Sequence, residues 1–78
     1  MATNRKDVIL PITHLVKIGI NLSDYKTFKS IFDEKVYSFY VKGKQVIGDK
    51  IIFDVRAMRI NEFVDILDEH SLTWIKVD

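Results

Sequence analysis

The spacing of apolar residues changes period along this chain, from two to about 3.6 and back, and the order of those periods is the strongest constraint on its fold. Residues 14–20 alternate, with Val16, Ile18 and Ile20 on one side and Leu15, Lys17 and Gly19 on the other, as in a half-buried strand. Ser23 then stands where a helix N-cap belongs. It precedes Tyr25, Phe28, Ile31 and Phe32 at i, i+3, i+6 and i+7, with Lys26, Lys29, Asp33 and Glu34 outward. Residues 36–41 are β-branched and aromatic and read as a second strand, Tyr37, Phe39 and Val41 opposed to Val36, Ser38 and Tyr40. Residues 50–56 alternate again, Ile51, Phe53 and Val55 against Ile52, Asp54 and Arg56. Ahead of them Gly48 and Asp49 suit a two-residue type II′ turn with Gly43 as a bulge, the alternative turn being Gly43 and Lys44. Ile60, Phe63, Val64 and Leu67 have the spacing of a second half-buried helix, with a start between Arg56 and Asn61. Residues 72–77 read as a last strand, Thr73, Ile75 and Val77 opposed to Leu72, Trp74 and Lys76.

This β-α-β-β-α-β order predicts an α+β fold of the ferredoxin-like type: an antiparallel sheet ordered 4-1-3-2 with two helices on one face. A three-stranded meander with an N-terminal strand added is the alternative. Residues 1–7 read as a flexible N-terminal arm and 8–78 as a single α+β domain. Residues 8–12 are expected to add an edge strand or to lie across the core, since Pro11 cannot donate to a central ladder. The expected core sets Phe28, Ile31, Phe32, Phe63, Val64 and Leu67 against Ile18, Ile20, Phe39, Phe53 and Ile75.

A 78-residue chain buries only about 60% of its unfolded surface, which leaves little material for a walled reaction pocket. With no cysteine there is no disulfide, thiolate metal site or thiol nucleophile. Twelve basic residues against eleven acidic ones give a net charge of +1, so the global field does not draw the chain to polyanions. No apolar run exceeds four residues, far short of the roughly 20 needed to cross a bilayer, and residues 1–12 lack the pattern of an export signal. A cytoplasmic protein without membrane contact is expected.

Candidate chemistry is sparse. His14 and His70 have no adjacent nucleophile or carboxylate arranged as a triad would need. Gly43, Lys44 and Gly48 do not have the spacing of a phosphate loop. On the second helix Glu62, Asp65, Asp68 and Glu69 read as a solvated acidic face. Asp68 and Glu69 stand in the last turn, where the helix dipole disfavours negative charge, which makes that face a second candidate contact surface for a basic partner. No catalytic residue, metal site or cofactor is predicted.

The more informative surface is the sheet face away from the helices. On the strand phases above it gathers Leu15, Lys17, Tyr40, Lys42, Ile52, Arg56, Trp74 and Lys76, mixing aliphatic, aromatic and cationic groups. Such a face is unusually apolar to leave in water and carries residue types enriched at protein hot spots. The expectation is a small non-enzymatic protein-binding module: a homodimer, or a regulatory accessory or inhibitory factor docking on a larger protein, as viral and mobile-element proteins of this size do. The rival expectation is a single-stranded nucleic-acid-binding domain, with Tyr40 and Trp74 stacking bases beside the cations. RNA-recognition-motif domains share the element order and use this face, but their aromatics stand on the central strands, where this chain has Leu15, Lys17 and Gly19 and Ile52, Asp54 and Arg56.

Overall fold

The computed structural model describes residues 14–77, so the expectations for the N-terminal arm and for residues 8–12 lie outside the described residues. Strand β1 (Leu15–Asn21) passes through a 3-10 turn, Leu22–Asp24, into helix α1 (Tyr25–Ile31). Helix α2 (Glu34–Tyr40) runs directly into β2 (Val41–Ile47), which pairs with β3 (Lys50–Arg56). A second 3-10 turn, Ala57–Arg59, leads to α3 (Ile60–Glu69) and then β4 (Trp74–Val77). The four strands form one sheet in the order β2-β3-β1-β4, with every neighbouring pair antiparallel.

Expectation and structure part first at residues 36–41. Residues 36–40 form the end of a helix and not a strand, because Asp33 is an N-cap: its carboxylate accepts the Val36 N–H at 3.0 Å and Glu34 complements the dipole in the first turn. Phe32, extended at φ −104° and ψ 93°, breaks the chain between the two helices. Tyr37 and Tyr40, three apart, then fall on one helical face turned to the core, while Phe39 is 49% exposed instead of buried. Ser23 makes no capping hydrogen bond; the 3-10 turn starts the first helix in its place.

The second strand therefore begins at Val41. A bulge separates the Val41–Val55 and Gly43–Asp54 pairs, leaving Lys42 as the extra residue. Gly48, at φ 62°, opens the turn before β3, as a glycine-first two-residue turn requires.

Helix α3 ends in a Schellman motif. The Leu72 N–H donates to the Leu67 carbonyl at 2.9 Å and the Ser71 N–H to that of Asp68 at 3.0 Å, with Ser71 left-handed at φ 58°. That motif tucks Leu72 beneath the helix and sets the phase of β4. Ile20 pairs with Trp74 and Ile18 with Lys76, so these two face the helices with the β1 core residues, whereas Ile75 and Val77 face away. The expected phase of the last strand is thus reversed, and Ile75 is 46% exposed.

The helices share one side of the sheet and close a core built on aromatic contacts. Phe28 stacks on both Phe32 and Phe53 with centroids 4.5 Å apart, and Phe63 meets Phe32 at 5.2 Å. Phe53, Phe63 and Leu67 are fully buried, with Ile18, Ile20, Ile51 and Val55 beneath them. Among the described residues, the other side of the sheet carries no helix.

Candidate functional site

Pairing register defines what the helix-free face presents. Gly19 sits at its centre, opposite Ile52 on β3 and Ile75 on β4. With no side chain at Gly19, the neighbours lean in: Ile52 Cδ1, Ile75 Cγ1 and Val77 Cγ2 lie 2.8, 3.4 and 3.5 Å from where a Cβ would stand. These three side chains make a small aliphatic surface, extended by Leu15 along β1 and by Ile47, which opposes Lys50 on β3. Leu15, Ile47 and Ile75 are each more than a third exposed, while Ile52 is shielded to 5%.

Charge on this face is largely internal. Lys17 and Asp54 are directly opposite, and the ammonium donates to the carboxylate at 2.8 Å. Lys50 donates to the Asn21 side chain at 2.7 Å. The Arg56 guanidinium turns towards the Ser38 carbonyl, at a marginal 3.5 Å.

Of the residues expected here, Leu15, Lys17, Ile52 and Arg56 stand on this face by register. The others do not. Tyr40 belongs to α2 and is buried against Phe63 and Phe32, its hydroxyl donating to the Glu62 carboxylate at 3.2 Å. Burial, and secondarily that bond to Glu62, raises the Tyr40 phenol above its ordinary range. Trp74 and Lys76 are on the helix side, and the Trp74 indole N–H donates to Asp68 at 2.8 Å. Lys42 is the exposed bulge residue. Reasoning from sequence missed Ile47, Ile75 and Val77; the usable signal was Gly19, whose empty position on β1 calls for large aliphatic neighbours.

The acidic helix is accounted for in part by the fold. Glu62 pairs with Arg59 at 3.7 Å as well as with Tyr40, and Asp68 holds Trp74, which offsets the dipole at that position. Asp65 and Glu69 are exposed and make no ion pair among the described residues. His70 caps the helix end, its Nδ1 lying 3.0 Å from the Ile66 carbonyl. Exposed His14 contributes its carbonyl to the Ala57 N–H at 3.0 Å. No group of three or more potential metal ligands comes together among the described residues, and no described helix is long and apolar enough to cross a membrane. Compared with known proteins, the chain matches no family model, no curated protein and no solved structure.

Proposed function

We propose that the chain is a small non-enzymatic protein-binding module whose helix-free sheet face is covered in use by protein, in the first instance by a second copy of itself. The observation that carries this reading is the convergence of Ile52, Ile75 and Val77 over Gly19, with exposed Leu15 and Ile47 beside them. Aliphatic surface of this kind gains about 25 cal/mol for each Å² removed from water. The Lys17–Asp54 pair suits a two-fold contact, because each half can reach its opposite number across the axis. The strand order, with both crossovers over one face, supports placing the chain among ferredoxin-like arrangements. From about 4.8 Å between strands and ~3.3 Å per residue, the face measures roughly 19 by 23 Å. That is about 440 Å² a side and roughly 870 Å² in all, the size of a weak or transient contact, so self-association is proposed at tens of micromolar.

Nucleic-acid binding has less support. Neither Tyr40 nor Trp74 is placed to stack bases on this face, and the Lys17 charge is engaged by Asp54.

Sedimentation equilibrium of the wild type and of Ile75→Asp tests the reading. The wild type should dimerise at tens of micromolar. The variant should remain monomeric with an unchanged circular dichroism spectrum, a loss of at least about 2 kcal/mol or roughly thirtyfold in Kd. A wild type that stays monomeric to about 1 mM, or that binds single-stranded oligonucleotides with a steep salt dependence, overturns it.

A further inference from the structure

On the helix side, away from the face just described, a cleft of about 760 Å³ opens between α1, α2 and β2. Its size is that of small-molecule sites, which run from about 300 to 1,000 Å³. Tyr25 and Tyr37 line it, each with an ammonium group near its ring: Lys29 Nζ lies 5.7 Å from the Tyr25 centroid and Lys44 Nζ 5.8 Å from that of Tyr37. Neither lysine has a carboxylate within ion-pair distance among the described residues. Of the two acidic residues on the rim, Asp33 is engaged as the α2 cap, and Glu34 is left to oppose the cations.

The Tyr37 hydroxyl is the buried side-chain polar atom, among the described residues, that lacks a hydrogen-bond partner. Burial first, then the nearby Tyr25 and Asp54, hold this phenol above its ordinary pKa, so it remains a donor at neutral pH. Native proteins leave few such groups, since each forgoes a hydrogen bond that water would have supplied.

We infer that this cleft is a binding site for a flat aromatic carboxylate, the ring held among the Tyr25 and Tyr37 walls and the carboxylate at Lys29 and Lys44. A planar apolar body matches the aromatic lining, and cations set beside rings of negative face leave room for an anion without losing their own contact. The inference is independent of the proposed self-association, because the two surfaces lie on opposite sides of the sheet.

Titration of 2-naphthoate into ¹⁵N-labelled protein, followed by amide shifts, tests it, with neutral 2-naphthamide as the comparison. Saturable shifts should appear at residues 25–38 and at Lys44, in the wild type and equally in Ile75→Asp. The amide should bind at least about tenfold more weakly, as should the carboxylate to Lys44→Gln. Tyr37→Phe should keep naphthoate binding, since the buried hydroxyl lies out of the ligand's reach, while raising the urea midpoint of the unliganded protein, because it deletes a donor that has no acceptor. Equal binding of acid and amide, shifts confined to the sheet face, or no binding at several millimolar each overturn the inference.

Discussion

Replacing two phenylalanines by alanine separates the helix at residues 34–40 from the strand that its composition suggests. Phe53 is fully buried and stacked on Phe28 at 4.5 Å, with Phe63 6.2 Å away. Truncation to alanine removes roughly 100 Å³, which at ~24 cal/mol per Å³ of unrelaxed cavity costs about 2.4 kcal/mol. The lost transfer energy of the ring adds about 2 kcal/mol, giving ~4 kcal/mol in all. At roughly 0.05–0.15 kcal/mol per residue the whole chain is stable by about 4–12 kcal/mol, so Phe53→Ala should come close to unfolding it. Phe53→Leu, at about 1–2 kcal/mol, keeps the measurement on scale. Phe39 is the counterpart. It is 49% exposed, with the Arg59 guanidinium 3.7 Å from its ring centroid and Tyr40 edge-on at 5.2 Å. An exposed cation–π contact is worth about 0.5–1 kcal/mol, and alanine's better helix propensity returns about half of that. Phe39→Ala should therefore shift stability by less than ~1 kcal/mol. Urea unfolding followed by far-ultraviolet circular dichroism, with a slope near ~1 kcal/mol per molar, resolves the two cases easily. A Phe39→Ala cost of ~3 kcal/mol or more, or a Phe53→Ala cost below ~1 kcal/mol, would refute the packing described.

Ser71→Gly should raise the melting temperature by about 2–8 °C, a gain of roughly 0.5–1 kcal/mol, because Ser71 holds the left-handed Schellman position at φ 58°; a lower melting temperature would show that the serine side chain matters more than the strain. Alkaline stability should follow the buried phenols: with folded pKa values above the unfolded value of 10.0, Tyr37 and Tyr40 contribute fully below pH 10 and lose that contribution as pH rises through their folded values. Urea midpoints measured from pH 8 to 11 should fall at the alkaline end in the wild type and less steeply in Tyr40→Phe; parallel curves would show that the phenol does not titrate with unfolding.

How far the fold could be read from the sequence depended on whether a segment's two possible faces differed. In β1 and β3 they do: Ile18 and Ile20 contrast with Lys17 and Gly19, and Phe53 and Val55 with Asp54 and Arg56, so strand type and phase are both legible. In α3 the spacing of Phe63 and Leu67 admits one inward side. Residues 36–41 satisfy both periods, since Tyr37 and Tyr40 share a helical face while Tyr37, Phe39 and Val41 share a strand face. The deciding signal was the Asp33–Glu34 helix start, which reads equally well as the outer surface of the preceding helix. In residues 72–77 both faces are apolar, Leu72 and Trp74 against Ile75 and Val77, and the Leu72–Leu67 and Trp74–Asp68 hydrogen bonds choose between them. The candidate surface inherited both ambiguities: its β1 and β3 members were recognised, whereas the aromatics assigned to it belong to the other side.

The junction of α2 and β2 bears on how the molecule opens. Val41 donates its N–H to the Tyr37 carbonyl, closing the helix, and the same residue enters the sheet opposite Val55. One peptide thus terminates a helix and begins a strand, with no slack between them. Lifting this edge strand from β3 strips the helix of its last turn, so α2 and β2 should exchange their amide hydrogens with a common opening free energy, as a single cooperative unit. An edge that would otherwise peel away residue by residue is tied to Phe32 and Phe63 through Tyr40, the residue before it.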